Sequence, residues 1–255
     1  MITSTGNAQI KNLIQLQKKS KARREQGVFV AEGIKMYREA PGELVEKVYI
    51  SKSFAEKAEI PGLRDAEVVE DRVFQSAADT KTPQGIMAIV RQQHYQAEEI
   101  MQGETPLLLI LENIQDPGNL GTIIRTAEGA GVTGIIMSSD TVDIYNPKTI
   151  RSTMGSVYRM PFAYESDMKA VMQELRQRGI KTYAAHLKGV HNYDEPDYRT
   201  GCAFLIGNEG NGLTETLAEQ AEEYIRIPMS GQVESLNAAV ASALLMYEAN
   251  RQRRC

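Results

Sequence analysis

The sequence predicts an α/β protein, and three observations carry that prediction. Short apolar, β-branched runs alternate with stretches of helical period. The runs after residue 106 are almost continuously apolar, the pattern of parallel strands covered by helices on both faces. Between Arg91 and Pro106 lies QQHYQAEEIMQGETP, polar and without a clear period. That segment reads as a linker, with a first domain over 1–95, the linker at 96–105 and a second domain over 106–255.

Taken in order, the strand candidates are GVFVAEG (27–33), LVEKVYI (44–50), GIMAIV (85–90), LLLILE (107–112), GIIMSS (134–139), KTYAAH (181–186), CAFLIG (202–207) and YIRIP (224–228). The last helix, about Ser235 to Arg251, has an unusually wide apolar surface. Leu236, Val240, Ala243, Leu244 and Tyr247 fall on one side, Ala238, Ala241 and Leu245 on the other. Such a helix is buried twice, either wholly within its own chain or partly against a second subunit.

The 255 residues carry a net charge of −4, two cysteines and no tryptophan. Cys202 sits in an apolar run and Cys255 ends the chain, a usage that suits a reducing compartment. No apolar stretch has signal-peptide or membrane-span length, so the expectation is cytoplasmic, without a membrane partner. His94, His186 and His191 form no ligand-spaced cluster with the cysteines, and no metal site is expected. The acidic balance is uneven. Residues 1–40 hold eight basic against three acidic side chains, and Arg251, Arg253 and Arg254 make the other end basic. Basic clusters on an acidic background are the footprint of phosphate binding and also the pattern of a solvated helix face.

Three segments carry chemistry. ENIQDPGNLGTIIRTAEGAGVTGIIM (112–137) reads strand, turn, helix, strand, with Asn119 as the expected cap of the helix. Arg125 lies about 140° from Leu120 around that helix, off the apolar stripe. The turn lacks the close G-x-G-x-x-G spacing of a dinucleotide site, which argues against an oxidoreductase. FLIGNEGNGL (204–213) places Gly207, Gly210 and Gly212 around Glu209, whose carboxylate either orients a donor or caps a helix beginning near Leu213. YIRIPMSGQVESLNAAVASALLMYE (224–248) closes a strand at Pro228 and opens the small-residue helix at Ser235 or Asn237.

In order and spacing the three segments resemble the motifs of the SpoU or TrmH-type RNA ribose 2′-O-methyltransferases, members of the knotted SPOUT superfamily. The first motif matches as Asn119 with Arg125, the second as IGNEGNGL and the third as IPMSGQVESLNAAVASALLMYE. The resemblance covers about residues 106–255, and the first 95 residues look like the smaller α/β RNA-binding domain that many members carry. It implies a parallel-sheet domain with a deep trefoil knot, a topology that connection rules alone would reject. It also implies S-adenosylmethionine as cofactor, with contacts at Gly207, Ile227, Met229, Ser235, Leu236, Ala185 and His186, and a homodimer. The implied reaction is attack of a ribose 2′-hydroxyl on a sulfonium methyl. Arg125 is the implied activating residue, with Asn119, Glu209, Ser235 and Asn237 around it. A guanidinium holds its proton near neutral pH, so stabilisation of the developing alkoxide suits it better than general-base work. Lys18, Lys19, Lys21, Arg23 and Arg24 are expected to hold RNA phosphates. By analogy the substrate is 23S rRNA, with tRNA methylation, or a non-catalytic RNA-binding assembly factor on the same fold, as alternatives.

Overall fold

The computed structural model describes residues 1–57, 63 and 65–254; Cys255 lies outside them. The chain forms two compact units, one of residues 1–93 with 143–158, the other of residues 94–142 with 159–255.

The first unit begins with α1 (Ala8–Lys18) and α2 (Ser20–Gln26), then β1 (Val28–Glu32), α3 (Ile34–Glu39), β2 (Val45–Ser51), α4 (Lys52–Ala55), β3 (Glu67–Val69), α5 (Asp71–Ala77) and β4 (Ile86–Arg91). Its sheet runs β1-β4-β2-β3, antiparallel except for the β2–β3 pair. Ile10, Leu13 and Leu16, one stripe of α1, pack with Val30, Tyr49, Phe74 and Met87 to form the core. Asn7 caps α1, its side chain accepting the Gln9 N–H at 2.8 Å.

In the second unit α6 (Ala97–Ile100) precedes β5 (Leu107–Leu111), α7 (Pro117–Ala130) and β6 (Gly134–Ser138). After α8 (Pro147–Thr153), which belongs to the first unit, come β7 (Phe162–Glu165), α9 (Met168–Gln177), β8 (Lys181–Ala185), β9 (His191–Asn192), β10 (Cys202–Ile206), α10 (Glu215–Ala218), β11 (Glu223–Arg226) and α11 (Ala238–Arg253). The seven strands pair throughout in parallel, in the order β7-β6-β5-β10-β8-β11-β9. β5 and β10 are buried at every residue, the reason their sequences show no polar alternation. Burial also pushes the Cys202 thiol up to about 11, so this cysteine is a packing residue.

Several sequence expectations need correction. Residues 96–105 are more than a linker: α6 forms within them, and Ala97, Ile100 and Met101 are buried in the core of the second unit. Residues 143–158 leave the second domain for the first unit. There Tyr145 stacks on Phe29 at 4.7 Å, and the Tyr158 hydroxyl donates to the Met36 carbonyl at 3.1 Å. Arg23 is not a phosphate ligand. It is buried, its Nη2 lies 2.6 Å from Asp143 Oδ2, and its Nη1 donates to the Leu16 carbonyl at 2.7 Å, closing the break between α1 and α2. Two arginines at the chain's end are likewise occupied. Arg251 pairs with Glu248, and Arg253 donates to the carbonyls of Thr105, Pro106, Tyr198 and Thr200. β3, β7 and β9 were not expected from the sequence, being short strands of two to four residues without a legible alternation.

Arg23→Met leaves the Asp143 carboxylate without its cation and is expected to cost about 3 kcal/mol. Urea unfolding followed by circular dichroism checks this; a loss no larger than that of Lys19→Met would make Arg23 an ordinary surface cation.

Candidate active site

The first motif turns at Asp116-Pro117. Proline at the first helical position lacks an N–H that would go unpaired there anyway, and the Asp116 carboxylate accepts the Asn119 N–H at 2.9 Å. Asp116, rather than Asn119, is therefore the cap of α7. Freed from capping, the Asn119 side chain reaches outward from the first turn. Its Nδ2 donates to Glu209 Oε1 and its Oδ1 accepts from Asn237 Nδ2, each at 3.0 Å.

The second motif forms a tight loop after β10, closed by paired hydrogen bonds between the backbones of Asn208 and Gly212. A Cβ on Gly207 would lie 2.1 Å from the Gly212 carbonyl carbon, so the loop folds back on its own backbone where only glycine fits. Asn208 braces it, accepting the N–H groups of Gly210 and Asn211 and donating to the Asn113 carbonyl at 2.8 Å. Asn113 holds a left-handed conformation, φ 55°. Glu209 caps no helix, since Thr214 caps α10. Its carboxylate instead accepts three donors at 3.0 Å: the backbone N–H groups of Gln115 and Asp116 and the Asn119 amide. Partial burial pushes this carboxyl up, but the three donors outweigh it and hold it below the usual range.

In the third motif Asn237, one of the two expected caps, accepts the N–H groups of Ala239 at 2.9 Å and Val240 at 3.4 Å, so α11 starts at Ala238 rather than at Ser235. Asn237 thus fixes the start of α11 with its oxygen and grips Asn119 with its nitrogen. One chain of contacts, Glu209 to Asn119 to Asn237, joins all three motifs.

Beside this chain a cavity of about 800 Å³ opens at the carboxyl ends of β8, β10 and β11, where open parallel sheets place their ligands. All seven residues expected at the cofactor line it: Ala185, His186, Gly207, Ile227, Met229, Ser235 and Leu236. Leu187, Arg226, Val233 and Glu234, which sequence reasoning missed, line it too, and Ala238, Ala241 and Leu245 of α11 form part of its wall. Their signal was available in the strand ends and in the third-motif loop between Pro228 and Asn237. The residues present fit S-adenosylmethionine: an apolar wall of Ile227, Met229, Leu236 and Leu245 suits a flat adenine, backbone groups at the strand ends suit its polar edge, and the carboxylates of Glu209 and Glu234 suit a cation.

Arg125 joins none of this. It is exposed on α7, with no hydrogen bond or ion pair to another described residue, on the same face as Thr122 and Gly129. A Cβ on Gly129 would lie 3.3 Å from the Tyr247 hydroxyl, so this face continues onto α11. There Val240, Leu244 and Tyr247 are 49%, 36% and 49% exposed while Leu245 and Met246 are fully buried. One apolar side of α11 is thus covered by its own chain and the other is not. Of the expected phosphate residues, Lys18, Lys19 and Arg24 are exposed on the first unit, and Lys21 is exposed beside Glu25.

Residues 106–247 match the SpoU rRNA methylase family, and residues 7–88 match the MRM3-like substrate binding domain. The chain is 32% identical to the 23S rRNA (guanosine(2553)-2′-O)-methyltransferase RlmP of Bacillus subtilis, over 96% of this chain and 97% of that one. It is also 32% identical to the 23S rRNA (guanosine-2′-O-)-methyltransferase RlmB of Bordetella pertussis, over 85% of this chain and 92% of the other. The crystal structure of an AdoMet-bound rRNA methyltransferase from Sinorhizobium meliloti superimposes with a TM-score of 0.86 at 34% identity, covering 98% of this chain and 97% of that one. With the three motifs joined by Asn119 beside a cavity that fits S-adenosylmethionine, the chain belongs to the SpoU rRNA methylase family.

Proposed function

We propose that this protein methylates a ribose 2′-hydroxyl of 23S rRNA in the cytoplasm, with S-adenosylmethionine as donor. The observation that carries the reading is the Glu209–Asn119–Asn237 chain at the cofactor-sized cavity. Large rRNA is favoured over tRNA because the resemblance to RlmP, a 23S rRNA enzyme, runs the length of both chains, substrate-binding unit included.

When bound, the cofactor supplies an electrophilic methyl on a sulfonium. Ala185, His186, Gly207, Ile227, Met229, Ser235 and Leu236 hold it. Glu209, Asn119 and Asn237 are positioning residues in this reading: the ionised carboxylate fixes the Asn119 amide, which fixes Asn237 and with it the loop that walls the cavity. Ser235, exposed in that loop, lines the cavity and in this reading faces the reacting groups. Arg125 stabilises the alkoxide that develops on the attacking ribose. Its place beside the uncovered stripe of Val240, Leu244 and Tyr247 supports a second part of the proposal: two copies pair through this face, and Arg125 serves the partner's cavity. The trefoil knot belongs to the same reading, supported by the way β10 enters the sheet between β5 and β8 before the chain passes on to β11.

Methyl transfer to in vitro transcribed 23S rRNA, with the product nucleotide identified by mass spectrometry, tests the function; label confined to tRNA would overturn the substrate. Arg125→Ala is expected to lower turnover by about 100-fold or more while calorimetry shows unchanged cofactor affinity. Leu244→Asp should sediment as a monomer where the wild type is a dimer, and a wild-type monomer would remove the cross-subunit role of Arg125. The Glu209 carboxyl is held low in the folded state, so its contribution is present at neutral pH and lost as pH falls through that depressed value. Glu209→Gln should accordingly flatten the fall of the urea midpoint below about pH 4.

A further inference from the structure

The first unit carries a loop whose construction the basic strip on α1 and α2 does not explain. Residues 78–85, Ala-Asp-Thr-Lys-Thr-Pro-Gln-Gly, join α5 to β4. Both ends are pinned from beneath. Glu32, the last residue of β1, is 7% exposed, and its carboxylate accepts the Asp79 N–H at 2.9 Å, the Thr80 hydroxyl and the Gln17 amide at 3.3 Å. All of these partners are neutral donors, so among the described residues the fold keeps this carboxylate out of water without a cation, which is costly. Gln75 Nε2 donates to the Lys81 carbonyl at 2.9 Å, and the Asp79 carboxylate pairs with Arg151 at 2.6 Å. At the far end Gln84 Oε1 accepts the Ile34 N–H at 2.8 Å. Gly85, φ 87°, closes the loop where a Cβ would lie 2.8 Å from Phe54 Cβ.

Between these pins Lys81 and Thr82 are exposed at the tip. Two further lysines are tied to the same scaffold. Lys35 follows Ile34, which holds Gln84, and Lys18 follows Gln17, which holds Glu32; both are exposed. A buried carboxylate spent on the backbone geometry of a cationic loop makes sense when the loop must meet a rigid, charged partner with little reorganisation.

We propose that the 79–84 loop is an RNA-phosphate contact of the substrate-binding unit, in which Lys81, Thr82 and Lys35 grip the backbone of an unpaired or bent segment of the substrate RNA, and Glu32 is its positioning residue. The inference rests on the RNA-methyltransferase reading and adds to the strip at Lys18, Lys19 and Arg24. Ammonium groups and a hydroxyl suit phosphate oxygens, and contacts of this kind read the shape of RNA rather than base edges.

The test uses the full chain and in vitro transcribed 23S rRNA in filter-binding titrations across salt, with cofactor calorimetry and circular dichroism as controls on the fold. Lys35→Ala/Lys81→Ala should bind about tenfold more weakly and lower the slope of log affinity against log salt by about 1.5, with cofactor affinity unchanged. Glu32→Gln separates positioning from charge. Removing an anion would by itself tighten RNA binding, whereas a loosened loop weakens it, so weaker binding by folded Glu32→Gln is the expected result. Wild-type affinity and slope in the double variant, with a loss on Lys18→Ala/Lys19→Ala, would overturn the loop as a contact, and tighter binding by Glu32→Gln would overturn its positioning role. Absence of RNA binding by the wild type would overturn the functional reading itself and this surface with it.

Discussion

Asn119 makes the bond pair on which the candidate site depends. Its amide oxygen and nitrogen are spent in opposite directions, on partners 118 residues later and 90 residues later in the chain. The geometry requires a side chain that both donates and accepts at one short reach, which aspartate and leucine, its nearest isosteres, do not supply. Because Asp116 already caps α7, Asn119 is released for this work. Glu209 completes the arrangement by gathering three donors onto one carboxylate, and Asn237 passes the constraint to α11. The cavity wall is therefore set by polar contacts at the strand ends, while the strands beneath are held by apolar packing that has no directional preference of its own.

The first unit uses buried charge in a related way. Arg23 and Asp143 recruit a segment from the middle of the chain, and Glu32 fixes a loop through neutral donors. In both places a charged group stands where apolar packing would serve stability as well. What the charge adds is direction: a guanidinium fork or a carboxylate admits few arrangements of its partners, whereas a leucine tolerates many. Such residues look from sequence like parts of a solvated basic strip. Arg23 lies between Lys21 and Arg24, both exposed, and nothing in its immediate neighbours separates it from them.

Much of the second unit was legible because its physics is local. β5, β6 and β10 are runs of largely apolar residues whose length matches a strand and whose lack of alternation matches burial on both faces. The turn chemistry of Asp116-Pro117-Gly118 announced a helix start, although the choice of cap among neighbouring candidates was decided by which side chain had a better partner elsewhere. The two-sided apolar character of α11 was visible as periodicity. Which side its own chain covers was not, since that depends on how α7 and β10 pack against α11. The short strands β3, β7 and β9 escaped because their pairing comes from the neighbouring strand rather than from their own composition.

By itself the sequence determined the fold class, the parallel sheet, the order of the three motifs and the residue types at the site. These follow from periodicity, turn chemistry and motif spacing, all of which act over a few to a few tens of residues. Only the tertiary structure decided that Asn119 bridges rather than caps, that Arg23 is internal and that residues 143–158 pack with the first unit. Each of those outcomes is a competition for a hydrogen-bond or packing partner far away in the chain. Local propensity sets which partners a side chain is able to take, and the folded topology sets which one is within reach.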